Sequence, residues 1–289
     1  MTCLGKALTR ADTGSMATEK KRRPPVHAPA TSGVGRLDGF DGAARFDRVD
    51  ALRGVALLWM AFFHFCFDLA SFRLMDADFY RDPFWTWQRT LILSTFLVCA
   101  GAGQAIATHR GQTWPRFWRR WAQIAACAVL VSLGSWWMYP RSFISFGVLH
   151  GMAVMLVIAR CSAPAGKWLW PLGALAIALP FFVQSPFFDS RWTNWVGLVT
   201  HKPITEDFVP ILPWLGVMWW GLAGTQWLLA RRPGVLGASG PLSGGDNTGN
   251  VVWRGLITLG QWSLTFYMLH QPVFIGGLMA WMYVVRPIH

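Results

Sequence analysis

Arg53, His64 and Asp68 sit among apolar residues in one stretch, Val49–Phe72. A helix turns about 100° per residue, so the 11 positions from Arg53 to His64 end about 20° beyond three full turns. Asp68, four positions on, lies about 40° further round. All three side chains therefore project from one stripe. A charged group in hydrocarbon costs roughly 2.5–3.5 kcal/mol on insertion scales, so such a stripe belongs against protein or a wet passage. The chemistry it offers is proton transfer. Asp68 is placed to accept a ring N–H of His64, which fixes the tautomer, raises basicity and leaves the other nitrogen to take a proton. Arg53 stands about 16 Å nearer the cytoplasm, where a guanidinium holds a phosphate or a polarised carbonyl. The plainer reading has Arg53 and Asp68 reaching opposite headgroup layers and His64 in a helix–helix hydrogen bond. Three such groups on one stripe favour the functional reading.

Two further histidines fall inside apolar runs. His150 lies in Phe143–Met152, beside Gly151, and His270 lies in Ser263–Pro272, where Pro272 frees a backbone carbonyl. Each falls near mid-depth of its span, and the plainer reading for each is an interhelical hydrogen bond. None of the histidines has the i,i+4 or CxxCH spacing of a zinc or haem site, so no metal ligand is assigned. Asp207, in Asp207–Trp214, is expected to cap the helix that follows, with Pro210 in its first turn, or to face a substrate at the external mouth. The small-residue run Cys99–Gly103 reads as a close helix contact; with no strand before it and no Lys after it, it is not a nucleotide loop.

The elements that position these residues follow from composition. Of 289 residues, 53% are hydrophobic and only 14% charged, and the mean hydropathy is +0.33. A soluble domain carries about 25% charge, so a soluble enzyme, a disordered protein and a coiled coil are all disfavoured. The 19 Trp suit membrane–water interfaces. The fold class is all-α: a polytopic helical membrane protein with about seven transmembrane helices. Spans are expected near 49–71, 88–108, 118–139, 142–160, 168–184, 208–230 and 260–284, each near the roughly 20 residues that cross a bilayer. Val251–Leu259 reads as a short interfacial helix or as the start of the last span.

Residues 1–45 form a basic tail, expected to be disordered and cytoplasmic; residues 46–289 form the transmembrane domain. The positive charge orients the chain. Internal loops hold nine Lys and Arg, external segments six, and residues 1–48 another nine, so the N-terminus is cytoplasmic. The run Lys20–Arg23 has no folded aromatic module beside it, so no nucleic-acid partner is expected. Met16 is an alternative start, and Gly234–Asn250 reads as a flexible linker. The five Cys, with no CxxC, read as reduced core residues.

Five blocks resemble one family in order. They are Asp50–His64, Ser94–Gly101, Phe146–Gly151, Pro210–Gly216 and Ser263–Pro272, and they resemble the bacterial heparan-α-glucosaminide N-acetyltransferase catalytic-domain family. Arg53 followed by ten residues and His64 is also similar to the Arg-x10-His pattern of acyltransferase-3 membrane enzymes. The resemblance implies a membrane acyltransferase of the bacterial inner membrane. It would move an acyl group, acetyl above all, from cytosolic acyl-CoA to a sugar-type acceptor at the external face. Acyl-CoA is then a co-substrate, with no permanently bound cofactor. On that reading Arg53 binds the donor and His64, oriented by Asp68, deprotonates the acceptor hydroxyl or amine; an acyl-His intermediate is the alternative. His150 and His270 line the tunnel, and Asp207 stands on the acceptor side. In the animal lysosomal member an Asn occupies the position matching His64 and the important His comes in the first luminal loop. The corresponding loop here, Arg73–Trp87, has no His. The competing reading is a proton-coupled transporter or flippase using the same stripe, against which stand the absence of an internal repeat and a total of two Glu, Glu19 and Glu206. Besides acyl-CoA, the acceptor and the lipid bilayer, a second copy of the chain is left open as a partner.

Overall fold

The computed structural model describes residues 46–138, 140–205, 207–232 and 247–285. The expected tail over residues 1–45, Met16 and most of the Gly234–Asn250 linker lie outside the described residues. Eight α-helices make up the described chain: α1 (Asp47–Ser71), α2 (Pro83–His109), α3 (Trp114–Met138), α4 (Val148–Ser162), α5 (Leu169–Phe182), α6 (Ile211–Arg231), α7 (Asn247–Gln261) and α8 (Ser263–Val285). No strand occurs among the described residues; a single bridge pairs Phe146 with Phe208. Seven helices correspond one for one to the expected spans, and this is a helical membrane protein.

By length and composition, five stretches are apolar enough to cross a membrane: α1, α2, α3, Val148–Phe182 and α8. Val148–Phe182 is divided by a 3-10 segment, Ala163–Trp168, in which Gly166 takes φ 54°. Its two rods, α4 and α5, have 15 and 14 residues, about 22 and 21 Å each, short of a full hydrocarbon core. The last span is also divided. Val251–Leu259 belongs to the separate helix α7, which ends at Gln261, and α8 then runs unbroken through Pro272. α7 begins at Asn247, so the C-terminal end of the expected linker is helical.

Local chemistry sets several ends. Asp82 caps α2 by accepting from Phe84 N–H at 2.9 Å, with Pro83 in the first turn. Packing then follows from small residues. A Cβ on Gly54 would lie 2.1 Å from the Leu256 carbonyl oxygen, and one on Gly260 1.9 Å from the Asp50 oxygen, so α1 and α7 cross backbone to backbone. Gly101 meets Met218 and Leu222 of α6 in the same way, and Gly221 meets Val98, which is the close contact expected of the Cys99–Gly103 run. One core gathers α2, α4 and α6 around Leu97, Met155, Met218 and Leu222. A second joins α1, α2 and α8 around Leu57, Met60, Phe63 and Ile92, and it holds Phe79 of the first loop, stacked on Trp85. The outer surface is apolar, as a bilayer demands; Leu130, Leu133 and Trp137 of α3 are examples. The described Cys are unpaired: Cys66 and Cys99 are buried, Cys127 is intermediate and Cys161, against expectation, is exposed.

Candidate active site

α1 turns its ionisable stripe inward, onto α8 and α2. Asp68 is 3% exposed and His270 of α8 is 7% exposed, whereas His64 stays partly open. The imidazoles of His64 and His270 face each other with ring centroids 5.2 Å apart and planes at 59°. Phe266 stacks on His270 and Phe274 meets it edge-on, which fixes that ring within α8. His270 Nδ1 lies 2.8 Å from the Tyr267 carbonyl oxygen. A carbonyl only accepts, so Nδ1 carries the proton and Nε2 presents its lone pair. That Nε2 is buried with no hydrogen-bond partner among the described residues.

The expected His64–Asp68 hydrogen bond is not formed. Asp68 instead accepts at Oδ1 from Gln271 Nε2, at 2.7 Å, across the α1–α8 contact. Its Oδ2 and the Gln271 Oε1 are buried without a partner among the described residues. The i,i+4 spacing allowed the first pairing, but α8 brings a better-aimed donor to the carboxylate. His64 makes no hydrogen bond to another described residue; its ring contacts are Phe63 and His270.

Arg53 lies toward the N-terminal, cytoplasmic end of the stripe. Its Nη1 pairs with Asp50 Oδ1 at 2.9 Å, and its side chain is 17% exposed. Its other terminal nitrogen points at α2, where a Cβ on Gly103 would meet it at 3.8 Å. One guanidinium edge is thus held by a carboxylate one turn away.

His150 is not joined to this group by any contact. Ser132 Oγ donates to the Ile144 carbonyl at 2.6 Å, so His150 Nε2–H donates to Ser132 Oγ at 3.1 Å, while Nδ1 accepts from Gly147 N–H at 3.3 Å. With both nitrogens engaged, His150 ties α3 to α4, the interhelical bond that was its alternative reading. Asp207 caps a helix, but not the expected one. Its Oδ2 accepts from Val148 N–H at 2.7 Å, at the start of α4, and Pro210 stands at the N-cap of α6. The pairing of Val209 N–H with the Phe146 carbonyl brings the two segments together. Burial pushes the Asp207 carboxyl above the usual range, opposed by the Val148 N–H and the charges of Arg89 and Lys202. Tyr267 lies within electrostatic range of Asp207, so Asp207 and His270 approach the same turn of α8.

Gln271, the Tyr267 carbonyl and Asp50 complete the arrangement and were not singled out by sequence. Gln271 is uncharged and carries no mark in the charge pattern; Asp50, three positions before Arg53, is legible as an i,i+3 partner. Two cavities of about 450 and 270 Å³ occur elsewhere, the first lined by Trp170, Gly224, Trp227 and Leu228, the second by Tyr80, Ser142 and Lys202–Thr205. No residue of the His64 group lines either one.

Packed apolar rods with an inward-facing group of imidazoles, carboxylates and a guanidinium define a multi-pass membrane protein. The chain matches the family model for heparan-alpha-glucosaminide N-acetyltransferase, catalytic, over residues 45–272, and it belongs to that family. The match takes in the described part of α1 through the His270–Pro272 turn of α8. Comparison with curated proteins and with solved structures gives no match. The family is one of membrane acetyltransferases, so an acetyltransferase activity in the bilayer, with an acyl donor and an acceptor, follows for this chain.

Proposed function

We propose that the chain transfers an acetyl group from cytosolic acetyl-CoA to a saccharide acceptor at the external face of a bacterial inner membrane. Acyl-CoA is the co-substrate, and no resident cofactor is required. The observation that carries this reading is the placing of His64. It is the partly open member of a buried polar group, on the same helix as Arg53 and about 16 Å from it along the axis. A pantetheine arm is long enough to join two such points. Arg53, steadied by Asp50, holds an anionic or carbonyl group of the donor. His64 takes the proton of the acceptor hydroxyl or amine as it attacks the thioester carbonyl. The positive charge of the internal loops and of residues 1–48 supports the cytoplasmic side for the donor. Residues 1–45 act as the basic cytoplasmic tail of a transmembrane catalytic domain over 46–289. Asp207, in the segment that leads into α6, is assigned to the acceptor side.

The test uses the full chain in lipid nanodiscs, labelled acetyl-CoA and a panel of cell-envelope sugars. Transfer by the wild type that drops about 10²-fold or more in His64→Ala supports the assignment, since a positioned base contributes about 10²–10⁴. Undiminished transfer in that variant removes His64 from the mechanism. Proton-coupled uptake into liposomes without CoA release favours the transporter instead.

A further inference from the structure

We infer that His270 is the proton partner of His64, so that the acceptor's proton passes through His64 to a second, buried imidazole. This rests on the acyltransferase reading above and adds a positioning residue to it. Four observations converge. The two rings lie 5.2 Å apart, centroid to centroid. Two imidazoles at that centroid spacing bring their nitrogens to about 3 Å, the length of an ordinary hydrogen bond, when one nitrogen of each lies on the line between the rings. The Tyr267 carbonyl holds the proton on His270 Nδ1, so Nε2 is a lone pair. That Nε2 is sealed from solvent and has no partner among the described residues, while the aromatic rings of Phe266 and Phe274 keep His270 still. His64, the partly open ring, makes no hydrogen bond to a described residue, and its ring torsion is of the soft, broad kind. A turn of that ring closes the His64 N–H···Nε2 bond.

The step balances. The acceptor's X–H proton passes to one nitrogen of His64 while the proton on the other nitrogen passes to His270 Nε2. The X–acyl bond forms, the C–S bond breaks, and the leaving thiolate receives one proton back along the same path. Throughout, Nδ1–H of His270 stays on the Tyr267 carbonyl. A backbone carbonyl thus does for His270 what a carboxylate does for the histidine of a hydrolytic triad: it fixes which nitrogen is basic.

Two measurements on the full chain in nanodiscs test this, with acetyl-CoA as donor and the best acceptor of the sugar panel. The first is a double-mutant cycle. His270→Gln is expected to lower kcat about 10- to 100-fold with the KM for acetyl-CoA unchanged, and to add less than about 2-fold in a His64→Ala background, because the two act as a unit. The proton inventory in mixed H₂O and D₂O bows in the wild type and straightens in His270→Gln. Additive losses, or a bowed inventory that survives in His270→Gln, overturn the relay and leave the acyltransferase reading intact. The second measurement needs neither turnover nor the variant of His270. Nitrogen-15 NMR of histidine-labelled wild type is expected to show His270 protonated at Nδ1, with an Nε2 shift that moves in His64→Ala. An Nε2 shift indifferent to His64→Ala overturns the pairing. Absence of transfer in the wild type, with the NMR coupling present, overturns the acyltransferase reading and the relay's catalytic role while keeping the imidazole pair.

Discussion

Asp68 and Gln271, 203 residues apart in the chain, meet side chain to side chain at 2.7 Å between α1 and α8. That bond, rather than one to His64, holds the only carboxylate of the α1 stripe beyond His64. It also joins the helix that carries His64 to the helix that carries His270.

The first prediction concerns this joint. Gln271→Ala leaves the buried Asp68 carboxylate without its donor, and leaving a buried polar group unsatisfied costs about 1–3 kcal/mol. The coupling energy itself, from a cycle of Asp68→Asn, Gln271→Ala and the double variant, is expected near about 0.6–1.7 kcal/mol, the range for hydrogen bonds between membrane helices. Equilibrium unfolding in micelles measures it; a coupling of zero would mean that the two side chains do not bond.

Arg53 gives the second. Arg53→Ala is expected to raise the KM for acetyl-CoA about tenfold or more while its effect on the acceptor's KM stays small, since the group is assigned to the donor. Arg53→Lys recovers the charge but only part of the affinity. Steady-state kinetics against each substrate in turn separates these effects.

The α1–α7 crossing supplies a third. A Cβ at Gly260 would fall inside the Asp50 carbonyl, so Gly260→Val is expected to destabilise by about 1–3 kcal/mol or to detach α7. Gly255, on the same helix, has nothing within 4 Å of its missing Cβ. Gly255→Ala is therefore expected to stabilise by about 0.5–1 kcal/mol through helix propensity alone. Thermal melts of the two variants should move in opposite directions.

Asp207 provides the pH dependence. Burial raises its carboxyl above the ordinary value of about 3.9, so the folded chain holds this proton more tightly than the unfolded chain. The stability it contributes is full below the ordinary aspartate range and is lost as pH rises through the raised folded value. Asp207→Asn keeps an oxygen for the Val148 N–H and is expected to flatten that part of the stability profile. Asp207→Ala removes the cap of α4 as well, at about 1 kcal/mol. Melting temperatures between pH 4 and 8 distinguish the two.

What the sequence determined by itself is what covalent spacing fixes. Apolar runs gave seven of the helices, α4 and α5 of them shorter than a hydrocarbon core, because every backbone N–H and C=O in hydrocarbon must be satisfied within a helix. The 3.6-residue period put Arg53, His64 and Asp68 on one stripe, and the cost of charge in lipid turned that stripe inward. The partners of those residues depend on which helices become neighbours, and spacing along one helix does not carry that information. His64 faces His270, Asp68 bonds to Gln271 and Asp207 caps α4 rather than α6 because glycine contacts and paired loop segments bring distant elements within hydrogen-bonding range. His150, equal to His270 in sequence terms, was set aside by Ser132 and Gly147, which occupy both its nitrogens. Only tertiary structure could separate a histidine with a spare lone pair from one with none.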